Sequence, residues 1–321
     1  GTWNAGIDAT LFNRLLNVNM EYYISNTHDI LLSFPMAMST GFTGYNANIG
    51  SMKNTGVEAT IRLNWLQKHN MQGSSTLMLY TNKNTVTALT GDQDEISGTQ
   101  TIKVGMPIYT YNIVKTAGVD PATGQQLYWA YKKDDKGERI EGSDYVTANK
   151  TEAQNSKYYL DSRAPKFQGS FGSDFQFGPV DFSFLTTFSY GGHVYESVYA
   201  QTMEAMYYGD TWNKQILRRW QKPGDVTDVP AVMMNSGRLA TDKWLIDASY
   251  FAIKSIQLGY TLPQKWTQKV NIKGLRVFLV GDNIAMFNHL NGMDPQYSIS
   301  GGTNYSYAPT RTFSCGIDIN F

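Results

Sequence analysis

Four histidines, one cysteine and a few clustered carboxylates are the side chains of this 321-residue chain that chemistry would ordinarily recruit. His28, His69, His193 and His289 lie far apart, without the helical or short-loop spacing that brings two imidazoles onto one metal ion. They read as solvent-facing loop residues. Cys315 alternates with polar neighbours near the C-terminus, which suits a wall-facing thiol rather than a nucleophile. A single cysteine also excludes a disulfide framework and a thiolate metal site. Asp92, Asp94 and Glu95 offer oxygen ligands for calcium in a loop, but the run lacks the full ligand pattern of a calcium loop, and a solvated acidic turn is the plainer reading. Lys132, Lys133, Asp134, Asp135 and Lys136 mix both signs at a hairpin tip and make no patch. With no phosphate-cradling loop and no nucleophile–base set, the chain is expected to be no enzyme and to need no cofactor.

What remains is adhesion. The chain carries 15 Phe, 21 Tyr and 7 Trp, and the segment 193–246 concentrates large side chains: Tyr195, Tyr199, Met203, Met206, Tyr207, Tyr208, Trp212, Trp220 and Trp244. A solvent-exposed loop normally avoids so much apolar area, so such a patch marks a binding surface or a packed rim. Tyr207, Tyr208, Trp212 and Trp220 are the candidate contact residues, since buried aromatic anchors dominate binding energy.

The elements that must position this segment are strands. Helical periodicity is almost absent, and period-two alternation recurs. Trp3, Ala5, Ile7, Ala9 and Leu11 alternate with polar neighbours, as do Val18 to Ile24 and Val57 to Trp65. A weaker segment surrounds Ser75 to Asn82. Phe167 to Phe177 and Val180 to Tyr190 flank a tight Gly178-Pro179 turn. Segments 247–261 and 272–286 follow, and Phe313, Cys315, Ile317, Ile319 and Phe321 close the chain. These nine strands are longer than the five or six residues usual in soluble sheets and reach the roughly ten needed to cross a bilayer at a tilt. Short connections near 13–17, 67–71, 178–179 and 262–271 alternate with long ones near 29–53, 84–165, 193–246 and 287–310. Outer-membrane barrels alternate short periplasmic turns with long extracellular loops in this way.

Composition agrees. Basic and acidic residues balance at 27 each, against a nucleic-acid partner. No stretch approaches eighteen apolar residues, which excludes a transmembrane helix. The reading is an all-β transmembrane antiparallel barrel, with a polar interior and a Phe-, Ile-, Leu- and Val-rich face toward outer-membrane lipid. Single-chain bacterial barrels have an even strand count, so further strands are expected before Gly1, which would then sit at an extracellular loop. The opening Gly1-Thr2-Trp3-Asn4, without a leader, also suggests part of a longer polypeptide.

Several segments, in order, resemble the C-terminal third of the SusC-type (SusC/RagA) TonB-dependent outer-membrane transporters. They are Asn48 to Glu58, Val104-Gly105-Met106-Pro107, Ala117 to Gly124, Gly224 to Pro230 and Asp247 to Lys254. Leu258 to Pro263, Gly281-Asp282-Asn283-Ile284 and Gly292 to Gln296 complete the set. Ala231 and Ala252 depart from it, standing where a basic residue is expected. The resemblance implies nine C-terminal strands of a 22-stranded barrel in the outer membrane of a Gram-negative bacterium. It also implies a plug domain and earlier strands before Gly1, coupling to TonB through that region, and a SusD-like surface lipoprotein as lid. Its implied cargo is an oligosaccharide first and an oligopeptide second; the four aromatic candidates are then contacts to cargo or to the lid lipoprotein. A soluble extracellular β-rich carbohydrate-binding protein and an outer-membrane barrel enzyme are the alternatives from other classes.

The final residues Gly316, Ile319 and Phe321 resemble the assembly signal of such barrels. Deleting Phe321 should therefore lower the amount of heat-modifiable, protease-resistant barrel in the outer membrane while synthesis stays intact. Unchanged barrel levels would remove the signal from this residue.

Overall fold

The computed structural model describes residues 1–35, 44–89, 95–204, 209–233, 238–290, 293–296, 307 and 309–321. Its framework is one nine-stranded sheet: β1 (Thr2–Leu11), β2 (Leu16–Pro35), β3 (Gly44–Lys68), β4 (Met71–Leu89), β5 (Phe167–Phe177), β6 (Val180–Tyr190), β7 (Tyr250–Thr261), β8 (Gly274–Asn288) and β9 (Thr312–Asn320). Each strand pairs antiparallel with its neighbours in sequence, so the spatial order is the chain order. This is an up-and-down meander, the architecture of a membrane barrel wall.

The cross-strand registers sort the side chains. Ile7, Met20 and Ala59 lie side by side, as do Ile61, Leu77 and Phe171. Phe182, Leu258, Leu279 and Cys315 continue the same face across the last four strands. These residues are exposed rather than buried: Ile7 is 70% accessible, Leu279 57% and Ile317 62%. The opposite face carries Asp8, Asn19, Glu58, Thr60, Arg62, Gln168, Asp174, Asp181, Gln257 and Asp318, with Met78, Leu185, Phe278 and Val280 as apolar exceptions. A sheet that leaves its apolar face uncovered, with the charged residues on the other face, departs from a water-soluble sandwich, which packs its apolar face into a core.

Polar atoms on the apolar face are provided for locally. Trp65 Nε1–H donates to Ser75 Oγ at 3.1 Å, and Ser75 shares a 2.7 Å hydrogen bond with Ser173. The Trp65 ring lies over Gly73, where a Cβ would sit 2.5 Å from it, and meets Phe175 edge-on at 5.5 Å. Phe175 stacks on Phe182 at 5.5 Å. Thr186 Oγ donates to the Phe171 carbonyl. Hydrocarbon offers no partner to these groups, and each has found one.

On the polar face a charged ladder crosses four strands. Arg276 on β8 donates to both carboxylate oxygens of Asp181 on β6, at 2.9 and 2.6 Å, and to Asp318 on β9 at 2.9 Å. The reach from β8 to β6 passes over Gly259 of β7, whose added Cβ would lie 2.4 Å from Asp181 and 2.7 Å from Arg276. Gly259 is absent a side chain because the ladder occupies that space.

Two sequence expectations change. Much of the expected 29–53 connection is strand: β2 continues to Pro35 and β3 begins at Gly44, with a register shift between Thr27 and Ile30 where Asp29 adopts φ 58°. The 84–165 connection likewise starts only after β4 ends at Leu89. These strands of 19 to 25 residues rise beyond a hydrocarbon core of about 30 Å. Their outer ends can face water on both sides, so the alternation that marks a strand in the sequence fades there. Short turns fall close to expectation, at 12–15, 69–70 and 178–179.

The large buried apolar side chains gather in the long excursions. Tyr111, Ile113, Tyr195, Met203, Val229 and Trp244 form a core with Tyr199, Ile216 and Leu245 against it. Small sheets frame it: Tyr158–Ser162 beside Thr110–Ile113 and Gln100–Ile102, and Tyr145–Thr147 beside Gln126–Ala130 and Thr116–Val119. His193–Tyr195 pairs with Leu245–Asp247 at the base of the 193–246 excursion.

Gly259→Val and Arg276→Met should each lower barrel stability by roughly 1.5–3 kcal/mol, the worth of hydrogen bonds to charged groups. The check is the temperature at which the heat-modifiable band converts. Conversion at the wild-type temperature in both variants would leave the ladder without a stabilising role.

Candidate ligand-binding site

A cavity of about 330 Å³ opens between the excursions 84–165 and 193–246, at the small end of the roughly 300–1,000 Å³ typical of ligand pockets. Gly124, Gln125, Gln126 and Tyr128 form one wall, running from the Asp120 turn into the strand Gln126–Ala130. Lys150 comes from α1 (Lys150–Asn155), whose Asn149 N-cap accepts from the Thr151 and Glu152 backbone N–H groups. Met203 and Glu204 enter from the end of α2 (Ser197–Met203). Ile216, the 229–233 stretch and Arg238 to Thr241 complete the lining, and Trp212 stands at its margin.

Its electrostatics are uneven. Burial pushes the Glu204 carboxyl up from the usual carboxylate range, while the charges of Lys243, Arg238 and Lys150 pull it partly back. Burial pushes the Lys150 ammonium down, opposed by Glu204. Lys243 behind the wall is also pushed down by burial, again opposed by Glu204. Two cations and one carboxylate therefore line the space, leaving a positive balance whichever form Glu204 takes. Two buried polar atoms also look for partners: Thr241 Oγ, on a residue only 3% exposed, and Gln126 Oε1 have none among the described residues.

The sequence candidates fall in three places. Trp212 is 39% exposed and lines the cavity. Trp220 serves packing: its Nε1–H donates to the Pro121 carbonyl at 2.9 Å, and its ring lies where a Cβ on Gly124 would sit, 2.5 Å away. Gly124 adopts φ 72° as well, so only glycine suits this turn. Tyr207 and Tyr208 lie outside the described residues. The expected packed rim is thus realised by Trp220, Tyr199 and Trp244, with Tyr199 and Trp244 meeting edge-on at 5.2 Å.

Two of the motifs singled out from sequence meet here. The Gly224 backbone N–H donates to the Pro121 carbonyl and the Ala231 N–H to the Gly124 carbonyl, both at 2.8 Å. The Asp120 turn is held from within, with Asp120 accepting from Ala122 N–H and Thr123 Oγ–H; those bonds keep its carboxyl below the ordinary range.

The remaining chemical candidates are dispersed. His28 contacts Ser51, and His193 Nδ1 lies 3.0 Å from Asp161. Cys315 is exposed on the apolar face. Among the described residues no group of three or more His, Cys, Asp or Glu side chains could hold a metal ion; Asp92 and Asp94 lie outside those residues. Gly316 faces the Phe278 ring, which a Cβ would meet at 2.3 Å, while Ile319 and Phe321 are exposed at the end of β9.

Sequence reasoning missed Glu204, Lys150, Arg238, Thr241 and Gln126. A lone acid between Met203 and Met206 was the one available signal. The other four stand in ordinary polar contexts, and only tertiary packing brings them to one cavity.

No protein-family profile matches the chain. It is 24% identical, over 98% of its length, to TonB-dependent receptor P3 of Formosa agariphila, and 25% identical over its whole length to TonB-dependent receptor SusC of Bacteroides thetaiotaomicron. The chain spans about a third of the length of these curated relatives, 33% and 32% respectively. Its fold superposes on a structure of the RagAB peptide transporter with a TM-score of 0.87 at 23% identity, covering 100% of this chain and 35% of that one. The chain thus resembles SusC-type TonB-dependent receptors along its full extent, and its sheet is that of a fragment of a TonB-dependent barrel.

Glu204 generates a pH prediction. A carboxyl whose folded pKa is raised stabilises the fold fully below its unfolded pKa, and that contribution is lost as pH rises through the folded value. Docking of the 193–246 excursion should therefore weaken as pH climbs from the usual carboxylate range toward neutrality, and Glu204→Gln should flatten this dependence. Protease resistance of the excursion across pH is the measurement; an equal pH slope in wild type and variant would remove Glu204 as its source.

Proposed function

We propose that this chain is the C-terminal wall and rim of an outer-membrane transporter that imports a nutrient oligomer in a TonB-dependent manner. The observation that carries the reading is the two-faced sheet: nine sequential antiparallel strands with exposed apolar side chains on one face and charged and amidic ones on the other. In water an apolar surface of that extent would drive aggregation, which disfavours the soluble carbohydrate-binding alternative. The barrel-enzyme alternative lacks support, since the described rim holds no clustered nucleophile and base. TonB would act through a region outside this chain, and a SusD-like surface lipoprotein would cover the rim as a lid. Cargo is an oligosaccharide or an oligopeptide, bound by ligand-driven rearrangement of the excursions without covalent chemistry.

Within this reading Trp212 contacts cargo and Trp220 holds the rim together. In the full-length protein, Trp212→Ala should weaken cargo binding by about thirtyfold, the ~2 kcal/mol of an anchor residue, with barrel assembly intact. Trp220→Ala should instead loosen the rim to protease. Uptake of labelled glycan and peptide mixtures by cells with and without TonB tests the transport itself. Uptake of both that is independent of TonB would overturn the proposal.

A further inference from the structure

We infer that the cavity beside Trp212 is a terminus-reading subsite, which takes the free C-terminal carboxylate of a peptide together with its apolar last side chain. The inference rests on the import reading above and adds the chemistry of what is bound.

Four observations carry it. The positive balance from Lys150 and Arg238, only partly offset by Glu204, asks for an anion. Thr241 Oγ, buried and without a partner among the described residues, is a hydroxyl donor with nothing to donate to. A ligand carboxylate in this positive lining would give the Thr241 hydroxyl an acceptor, and charge-assisted hydrogen bonds are the strong ones. Gln126 Oε1 is the complementary acceptor: its amide nitrogen is spent on the Gly118 and Leu127 carbonyls, leaving the oxygen for an incoming N–H. A terminal peptide residue supplies that N–H next to its carboxylate.

The rest of the lining decides between sources of carboxylate. Met203, Ile216, Val229 and Leu239 are aliphatic or thioether side chains. They suit a branched aliphatic side chain rather than the hydroxylated ring of a uronic acid, whose hydroxyl groups would lose water there without gaining partners. Burying such a polar group unpaired is the stronger discriminator, whereas a missing methylene costs little.

The test uses the full-length protein purified in detergent, with calorimetric titration of three probes: acetyl-Ala-Ala-Leu, its C-terminal amide, and trigalacturonate. The acid should bind at least tenfold more tightly than the amide, and trigalacturonate should bind more weakly than the acid. Thr241→Val, which keeps shape and removes the hydroxyl, and Arg238→Gln should each weaken acid binding severalfold and leave the amide unchanged. Heat-modifiability is confirmed first for each variant. Equal binding of acid and amide, tighter binding of trigalacturonate, or no binding of the acid would each overturn the subsite. The import reading is scored separately. TonB-dependent uptake at wild-type rates in both variants, with no acid preference in calorimetry, removes only the subsite. Loss of TonB dependence with the acid preference intact removes only the import reading.

Discussion

Every feature of the wall depends on one constraint: inside hydrocarbon, a backbone N–H or carbonyl has no solvent to turn to. Strands that hydrogen-bond to both neighbours meet this constraint. The nine-strand meander does so with each strand pairing with the next strand of the sheet in sequence. Once the backbone is satisfied by neighbours, side chains are free to sort by medium. The outward set becomes Phe-, Leu- and Ile-rich, and the inward set becomes charged and amidic. The stabilising core of an ordinary domain then has nowhere to form within the sheet. It forms in the excursions, where Tyr111, Ile113, Val229 and Trp244 are buried nearly completely.

The same logic explains the glycines that interrupt good strands. Gly73 makes room for the Trp65 ring, Gly316 for Phe278, and Gly259 for the Asp181–Arg276 pair. On the apolar side the vacated space lets an indole lie flat and reach Ser75. On the polar side it lets a guanidinium cross an intervening strand. At Gly259 the missing side chain on one strand is the condition for an ion pair between its two neighbours, which offsets the cost of glycine in a strand.

Reading the strands from sequence succeeded where one face meets lipid, because there the alternation has to be strict. The run Phe313 to Phe321 is legible at sight, and its register against β8 follows residue by residue. The reading fell short for the outer parts of β2 and β3, where water on both faces removes the pressure to alternate and Asp29 shifts the register. Aromatic richness pointed to the 193–246 excursion but could not separate Trp212, in the cavity lining, from Trp220, spent on Pro121 and Gly124. The polar set of the cavity was illegible. Gln126, Lys150, Glu204 and Thr241 are distant in the chain and ordinary in composition, and their meaning arises from the one cavity to which the fold brings them.

The docking of the Gly224 region on the Asp120 turn has a consequence for how such proteins diversify. Pro121 and Gly124 receive hydrogen bonds from Trp220, Gly224 and Ala231, about a hundred residues further along the chain. Neither excursion is therefore an independent cassette. A recombination event that exchanged one of them between two related genes would separate lock from key and leave a buried carbonyl and an unseated indole in the hybrid. Viable chimeras should keep both excursions from one parent and place their crossovers in the wall, between strands that share no glycine-seated contact.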